Sequence, residues 1–524
     1  MLSLILFTPL VGAVAIFFVD RGRVRVIRGI AGGCAAAALV LALPLWFRFE
    51  PFGSPWQFVE RRALIPSIGA NYFIGVDGFS ALLVLVTTLV GLVAVLSSWS
   101  AVTERAREHY LLLLVLQTAL MGAFVALDFL LFFVFWVATV VSMYYLIGLE
   151  RSSRSRHSAL KFALYATAGS FAMLIGTLAL YFFNHSVTGV YSFDVTEFQR
   201  LTIPLVTQRG IFLALFLGFA VLIPVFPFHS WFADAIEDAP PAVSILLAAV
   251  GLKLGTYGLI RFGLPILPDA TRYFAPWVAG LSIVGILYGA LLALSQRDWK
   301  RFVAYSSFSQ IGLTTLAVAA LTPAGITGSI VQQISHAIAV SGLLLIAGLA
   351  AEGRRGVKLS LFFVLMILAT IGVPGLSGFV GEVLILQGLF VVHKTWAVIG
   401  AAGIALGAGG LLSLYQRTML GAIDNPSNVR GPDLGARDVA TLVPLVALTL
   451  WIGVYPEPVL RRLQSSAGRI VVRVNPSYGP AIAKAEADCN KPAAPVVVPG
   501  APAGLMVDAP CTDGSTTSPK PDGR

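Results

Sequence analysis

The sequence predicts an all-α integral membrane protein with about fourteen transmembrane helices, each formed by an apolar run of 18 or more residues. Hydrophobic residues make up 57% of the 524-residue chain and charged residues 12%, whereas soluble domains average about 25% charged residues. The chain also lacks the ten-residue alternating segments of a membrane β-barrel. Helices are therefore the predicted way to satisfy the backbone polar groups in lipid.

The apolar runs place the predicted spans near residues 2–19, 28–47, 77–98, 110–127, 129–148, 160–183, 210–226, 241–262, 274–294, 301–320, 326–350, 359–392, 396–416 and 439–455. The seventh contains Pro224 and Pro227, and the twelfth contains Pro374 between two glycines. A proline inside a helix removes a hydrogen bond and breaks or kinks it. Two broken helices, one midway and one late in the chain, indicate an internal repeat.

Basic residues set the predicted orientation. They are most numerous in the loops that face inside if the N-terminus is outside, such as residues 21–28 and 297–301. The positive-inside rule then predicts that both termini are outside. The first apolar run precedes its basic residues, the reverse of a secretory signal, so we interpret it as a retained helix. The net charge of +10 is explained by this loop bias, and we predict no nucleic-acid partner.

The three cysteines fit no metal-binding pattern. Cys34 lies in an apolar span and is expected to pack there, while Cys489 and Cys511 lie in a C-terminal stretch and either pair or remain free thiols. From residue 465 to 524 the chain becomes polar and rich in proline and alanine. This composition predicts disorder.

Three ionisable residues inside apolar spans are the main candidates for chemistry, because such residues are costly in lipid. Lys253 lies in the middle of the eighth span, and the alternative is that its ammonium group reaches the headgroups. His336 suits a proton relay, although a lone histidine is as often a packing residue. Glu382 follows the Pro374 break and is placed to hold a proton, or to cap the second half-helix.

Weaker candidates lie near the ends of spans. His229 and Asp234 follow the broken seventh helix, either as a channel mouth or as an ordinary polar loop. Asp298 reads as an N-cap of the tenth span, and Gln310 belongs to a polar stripe along it. No phosphate-binding loop, dinucleotide fingerprint, cysteine cluster or paired-histidine motif occurs. We therefore predict no cofactor or metal in this chain and an activity limited to ion movement.

Several motifs resemble the antiporter-like subunits of respiratory complex I, the NADH:quinone oxidoreductase. They are Gly75–Ser80, Phe226–Ala235, Asp298–Ser307 and Gly378–Glu382, together with Gly251–Phe262, which is most similar to the M-type subunit. The resemblance covers about residues 1–460. It implies two inverted five-helix repeats with broken helices 7 and 12, and a proton path in which Lys253 is the central lysine, His336 a connecting histidine and Glu382 the terminal carboxylate.

The resemblance also implies a domain organisation and a setting. Its parts are three N-terminal helices (1–109), a first repeat (110–262), a second repeat (274–416), a last helix (439–460) and the polar tail (465–524). The expected location is a bacterial inner membrane, with lipids and the L-, N- and K-type subunits as partners. NADH, FMN, iron–sulfur clusters and quinone are then expected on other subunits.

Three positions depart from the family pattern. Val137 stands where the fifth helix of the family carries glutamate, Leu222 where the seventh carries lysine, and Gln310 where the tenth carries histidine. Losing both members of an ion pair is coherent, since a lone buried charge is strongly destabilising. The first half is therefore predicted to lack the usual electrostatic switch, which leaves a weakened pump, a path fed by a neighbour, or a structural link between subunits.

Two other functions remain open at this stage. Some of these motifs occur in subunits of Mrp-type cation/proton antiporters, and others in the membrane subunits of energy-coupling hydrogenases. The sequence predicts the same fold for all three.

Overall fold

The computed structural model describes residues 1–150, 152–420 and 431–489, and these residues are almost entirely helical. The helices and strands are α1 Leu2–Phe18, α2 Val24–Phe47, β1 Gln57–Ile65, β2 Ala70–Val76, α3 Gly78–Ala101, α4 Ala106–Val125, α5 Phe129–Ile147, α6 Ser153–Thr188, α7 Val195–Phe198, α8 Leu205–Leu222, α9 Ser230–Asp238, α10 Pro241–Ile266, α11 Pro268–Ser295, α12 Trp299–Ala319, α13 Pro323–Ala351, α14 Val357–Thr370, α15 Ser377–Val392, α16 Lys394–Met419, α17 Ala436–Val454, α18 Glu457–Val474 and α19 Gly479–Cys489.

Within the described residues, 12 helices are long and apolar enough to cross a membrane, and α1, α14 and α15 are shorter apolar helices. The prediction of a multi-pass helical membrane protein is confirmed. The number of fourteen spans, the inverted repeat and the domain boundaries stay predictions.

Both predicted breaks coincide with interruptions of helical structure. Helix α8 ends at Leu222 and α9 begins at Ser230, with Pro224 and Pro227 between them. Helix α14 ends at Thr370 and α15 begins at Ser377. Between α14 and α15 the backbone at Gly372 and Gly375 is left-handed, with φ of 69° and 89°. Glycine adopts this conformation without steric cost.

The core of the molecule surrounds α10. Every residue in the most apolar part of this span is buried, and it packs against α3, α8 and α13. Two of its segments, Leu247–Gly251 and Leu259–Gly263, are π-helical. A π-helical segment inserts an extra residue into a helical turn and is frequent at functional sites.

The structure also contains elements that the apolar runs do not predict. Strands β1 and β2 form an antiparallel hairpin between α2 and α3. Helix α18 continues to Val474, so disorder does not begin at residue 465 as predicted. Its apolar side chains recur every four residues at Val459, Leu463, Ala467 and Val471, and all four are buried. That spacing gives one apolar face to a helix of otherwise low hydropathy.

The last described part, beginning at Pro476, forms a separate compact unit that contains α19. The remaining predicted tail, residues 490–524 with Cys511, lies outside the described residues. Cys34 is a free thiol on α2, partly buried, and lies against Gly12 of α1.

Candidate functional site

Lys253 is buried in the middle of α10, with 1% of its surface exposed. Its ammonium nitrogen donates a hydrogen bond of 2.7 Å to the carbonyl oxygen of Ala248 and lies 2.7 Å from Nδ1 of His336. The side chain therefore points into the protein and does not reach toward the headgroups. The structure brings together two of the three main predicted site residues, which are far apart in the sequence.

The π-helical segment before Lys253 explains how a backbone carbonyl can bind its side chain. The N–H group of Leu252 bonds to the carbonyl of Leu247, five residues back, and not to that of Ala248. The carbonyl of Ala248 instead accepts a hydrogen bond from the Lys253 side chain. A lysine in the centre of a membrane helix is costly, and this contact offsets part of that cost.

Helix α13 extends the polar contacts on one side of His336. Gln332 and Gln333 are buried one turn before it, and residues four apart share a helix face. Thr256, on the turn after Lys253, donates a hydrogen bond to the side-chain oxygen of Gln333. These glutamines are functional candidates that the sequence analysis missed. A pair of amides inside an apolar span, one turn from a histidine, is the signal that identifies them.

Gln310 of α12 connects α13 to Glu382. Its side-chain oxygen accepts a hydrogen bond of 3.1 Å from Gln332, and its side chain lies close enough to the Glu382 carboxyl group to interact with it electrostatically. Buried polar side chains thus follow one another from Lys253 and His336, along one face of α13 to Gln332, and on to Gln310 and Glu382. An amide can donate and accept at the same time, which suits it to a bridging position.

Glu382 lies one turn into α15, where the break between α14 and α15 makes room for it. It is 5% exposed, and its Oε1 has no hydrogen-bond partner among the described residues. A Cβ atom at Gly372 would overlap its other carboxyl oxygen. The irregular backbone therefore surrounds the carboxyl group closely. The helix-capping alternative finds no support, since the described residues provide no side-chain cap at the start of α15.

The weaker candidate His229 lies among aromatic rings. Its ring stacks on Phe308 with centroids 4.8 Å apart and meets Tyr288 edge-on. It makes no hydrogen bond or ring contact with Lys253, His336 or Glu382, and its Nδ1 has no partner among the described residues. The structure therefore places it outside the connected set.

Asp234 belongs to an ion-pair cluster. It pairs with Lys161 at 2.8 Å and with Arg301 at 3.0 Å, while Glu237 pairs with Arg301 and Arg154. The pairs join α6, α9 and α12. The Asp298 side chain accepts a hydrogen bond from the Arg301 backbone N–H, as predicted for an N-cap.

The two departures in the first half lie in different surroundings. Leu222 at the end of α8 is 1% exposed, whereas Val137 on α5 is 36% exposed. A leucine fits a buried membrane site, and a partly exposed valine fits a surface that contacts lipid. Neither position contributes a charge to the interior.

A buried ion pair was missed by the sequence analysis. Arg261 lies at the end of the eighth predicted span and is not among the candidates there, but the structure places it in the second π-helical segment of α10, 4% exposed. Its guanidinium donates a hydrogen bond of 2.6 Å to Asp77, the N-cap of α3. The arginine side chain also contacts the Tyr257 hydroxyl and the Trp56 ring.

Comparisons with known proteins show the family to which the chain belongs. A family model described as NADH:quinone oxidoreductase/Mrp antiporter, TM, matches residues 126–407. The NADH-quinone oxidoreductase subunit M of Rickettsia conorii is 36% identical over 438 residues, which cover 81% of this chain and 88% of that protein. The chain belongs to the NADH-quinone oxidoreductase subunit M family. The subunit M of Rhodobacter capsulatus is 35% identical, covering 91% of this chain and 98% of that one.

Solved structures support the same fold for this subunit M family member. A chain of respiratory complex I from Thermus thermophilus with bound NADH matches with a TM-score of 0.81 at 25% identity, covering 91% of this chain and all of that one. A chain of the Mrp complex from Dietzia sp. DQ12-45-1b matches with a TM-score of 0.75 at 20% identity, over 57% of its length. The second likeness shows the fold alone.

Proposed function

We propose that this chain is a membrane-arm subunit of a proton-translocating NADH:quinone oxidoreductase, and that protons move from Lys253, near the end of the first repeat, along His336 and Gln310 to Glu382 in the second repeat. The observation that carries the proposal is the 2.7 Å contact between the Lys253 ammonium and His336 Nδ1, continued by buried side chains to Glu382. A lysine that meets two neutral acceptors and no carboxylate can release its proton to the histidine.

Quinone reduction elsewhere in the complex would supply the energy. NADH, FMN, iron–sulfur clusters and quinone would then be held by other subunits, and the L-, N- and K-type subunits would be neighbours in the membrane, with lipids around them. A bacterial inner membrane with both termini outside is the location we propose. The named subunit M relatives favour this function over an Mrp-type antiporter or an energy-coupling hydrogenase.

The first half of the chain would work differently from that of a standard pump. With Val137 and Leu222 in place of the acid and the base, it contains no charged pair that could switch there. We propose that the positions of Val137 and Leu222 do not store or release charge during turnover.

The test is Lys253→Met in the intact complex, reconstituted into sealed vesicles. The variant should keep NADH:quinone electron transfer and lower the number of protons moved per electron pair. Leu254→Met, a volume-conserving change on the same helix, is the matched control and should leave that number unchanged. An unchanged proton yield in Lys253→Met would refute the proposal.

Glu382→Gln tests the far end of the path. The amide keeps the shape of the carboxyl group but cannot release a proton. It should lower the proton yield as Lys253→Met does. Purification of this chain with a nickel-hydrogenase large subunit, or with small antiporter subunits, would assign it to another complex.

A further inference from the structure

The interface between α3 and α4 contains a second group of buried polar side chains, which the proposed path does not use. His109 of α4 is fully buried, and its Nε2 lies 2.9 Å from the hydroxyl of Ser98 on α3. Gln117 is also buried and lies two helical turns further along α4. Both side chains therefore lie on the face of α4 that packs against α3.

Polar atoms around this interface are buried without partners. Among the described residues, no hydrogen bond is made by Arg28 Nε, His109 Nδ1, Tyr110 OH, Gln117 Nε2 or Thr118 Oγ1. Each unmet buried donor or acceptor costs about 1–3 kcal/mol, and most buried polar groups in proteins have a partner. Ordered water is the usual partner of such a group inside a protein.

Gly91 of α3 provides the space in which the Gln117 amide lies. A Cβ atom at this position would overlap the Cδ, Nε2 and Oε1 atoms of Gln117. Gly91 is an ordinary helical residue without a positive φ, so the backbone does not require glycine there. Its small size therefore serves the polar side chain on the facing helix.

The polar interface begins near the protein surface, and α3 also contacts the helix that contains Lys253. At the end of α3, the Ser100 hydroxyl hydrogen-bonds to the exposed Glu352 carboxylate, and Arg437 donates to the same hydroxyl. Further in, α3 packs against the first π-helical segment of α10. That segment contains Ala248, whose carbonyl binds the Lys253 ammonium.

We propose that the α3–α4 interface is a hydrated proton-access path that supplies Lys253. A proton enters beside Ser98, binds one nitrogen of His109 while the other nitrogen releases one, and continues through water held by Gln117. The path replaces the missing charged pair at Val137 and Leu222. The proposal rests on the proposed function of Lys253 as a proton carrier.

Access of water is tested without reference to pumping. In a background with Cys34→Ala, Cys489→Ser and Cys511→Ser, Gln117→Cys should react with a small water-soluble methanethiosulfonate reagent in membranes containing the whole complex. Ala119→Cys is the matched control, because it is buried at the same depth on nearly the opposite face of α4. Modification would be read on this chain by mass spectrometry. Failure of Gln117→Cys to react, or equal reaction of both, overturns the proposal.

Proton transfer is tested with His109→Leu and His109→Gln in vesicles. Both should retain NADH:quinone electron transfer, and the loss of protons per electron pair should be greater for leucine, because glutamine still binds water. If Lys253→Met lowers the proton yield and His109→Leu does not, the access path is wrong and the function of Lys253 stands. If Lys253→Met has no effect, the proposed function itself fails.

Discussion

Lys253 remains buried because two neutral groups solvate its ammonium. A lysine at the centre of a membrane helix costs about 2.5–3.5 kcal/mol on insertion scales, and each hydrogen bond to a charged group contributes about 1.5–3 kcal/mol. The carbonyl of Ala248 and Nδ1 of His336 can together offset the cost. Because neither is an anion, no counter-ion among the described residues fixes the charge of the lysine, which favours exchange of its proton.

Gln310 is predicted to be a bridge and not a proton carrier. Gln310→Leu removes both the contact with Gln332 and that with Glu382, and the proton yield of the intact complex should fall. Gln310→His restores the residue type of the family and can still donate at one nitrogen and accept at the other. It should retain the yield, as measured by acidification per electron pair. Normal pumping by Gln310→Leu would remove Gln310 from the path.

Asp234 is predicted to stabilise the protein and not to carry protons. Asp234→Asn weakens the pairs with Lys161 and Arg301, which are partly exposed, and such pairs are worth about 0–1 kcal/mol. A slightly lower melting temperature in detergent is expected, with an unchanged proton yield. A fall in yield at normal stability would instead support its role as a channel mouth.

The sequence predicts which single residues matter better than it predicts their contacts. An ionisable residue in an apolar run is visible directly, as for Lys253, His336 and Glu382. The contact between Lys253 and His336 joins residues 83 positions apart, and no local pattern encodes it. Arg261 was overlooked, because a charge near the end of an apolar run is not recognised as buried unless its partner Asp77 is known.

At the scale of elements, glycine determines how closely α10 approaches α8. A Cβ atom at Gly255 would lie 2.7 Å from the backbone nitrogen of Ile223 and 2.7 Å from the carbonyl oxygen of Phe219. Backbone atoms cannot move aside as the end of a flexible side chain can. The helix that contains Lys253 is therefore held in place by the absence of a side chain two residues later.

Gly255→Ala is predicted to destabilise the protein although alanine favours helices. The added methyl group must push α8 and α10 apart, and overpacking a core typically costs about 1–3 kcal/mol. Thermal unfolding in detergent should show a lower midpoint, together with a lower proton yield because Lys253 shifts relative to His336. Gly280→Ala on α11 is the control: no atom lies within 4 Å of the new methyl group, so stability should be retained or increased.

The start of α14 is capped from a distant part of the chain, which predicts a pH dependence. Burial raises the pKa of Asp433, but hydrogen bonds from the backbone N–H groups of Leu434, Lys358 and Leu359 outweigh it and lower the pKa below its ordinary value of 3.8. A lowered pKa means that the charge stabilises the folded protein above that ordinary value, and that this contribution is lost as the pH falls through the lowered pKa.

Asp433→Asn should therefore lower the unfolding midpoint at neutral pH. Under strongly acidic conditions the midpoint of the variant should approach that of the unchanged protein. The measurement is thermal unfolding in detergent across pH. A difference between the two proteins that grows on acidification would contradict the assignment.

Elements were predictable where hydropathy alone determines them. The long spans follow from apolar runs, and the proline-containing segments mark both interruptions. The hairpin was missed because β1 carries Glu60, Arg61 and Arg62 in sequence, which obscures any alternation of apolar and polar residues. Helix α18 was missed because its composition is polar, although a four-residue repeat of apolar side chains was present.

At the scale of the whole molecule, the two halves differ in where polar groups are buried. Side chains of α12 and α13 in the second half connect Lys253 to Glu382, while the first half has apolar residues at the positions of the family's charged pair. The polar interface of α3 and α4 precedes Val137 and Leu222 in the chain. A proton supply through these N-terminal helices makes the loss of the pair compatible with continued pumping.

Restoring the pair is predicted not to restore a switch. Leu222 is 1% exposed and Val137 is 36% exposed. Leu222→Lys therefore places a charge in the interior, whereas the carboxylate of Val137→Glu can face lipid or a neighbouring subunit and leave that charge unpaired. An unpaired buried charge costs about 3–5 kcal/mol, and Leu222→Lys alone should lower the yield of assembled complex. The double variant should show the same defect and no increase in protons per electron pair, measured in vesicles against the unchanged complex. A rise in that number would mean that the first half retains the machinery of a switch and lacks only its charges, and the access path along α3 and α4 would then be unnecessary.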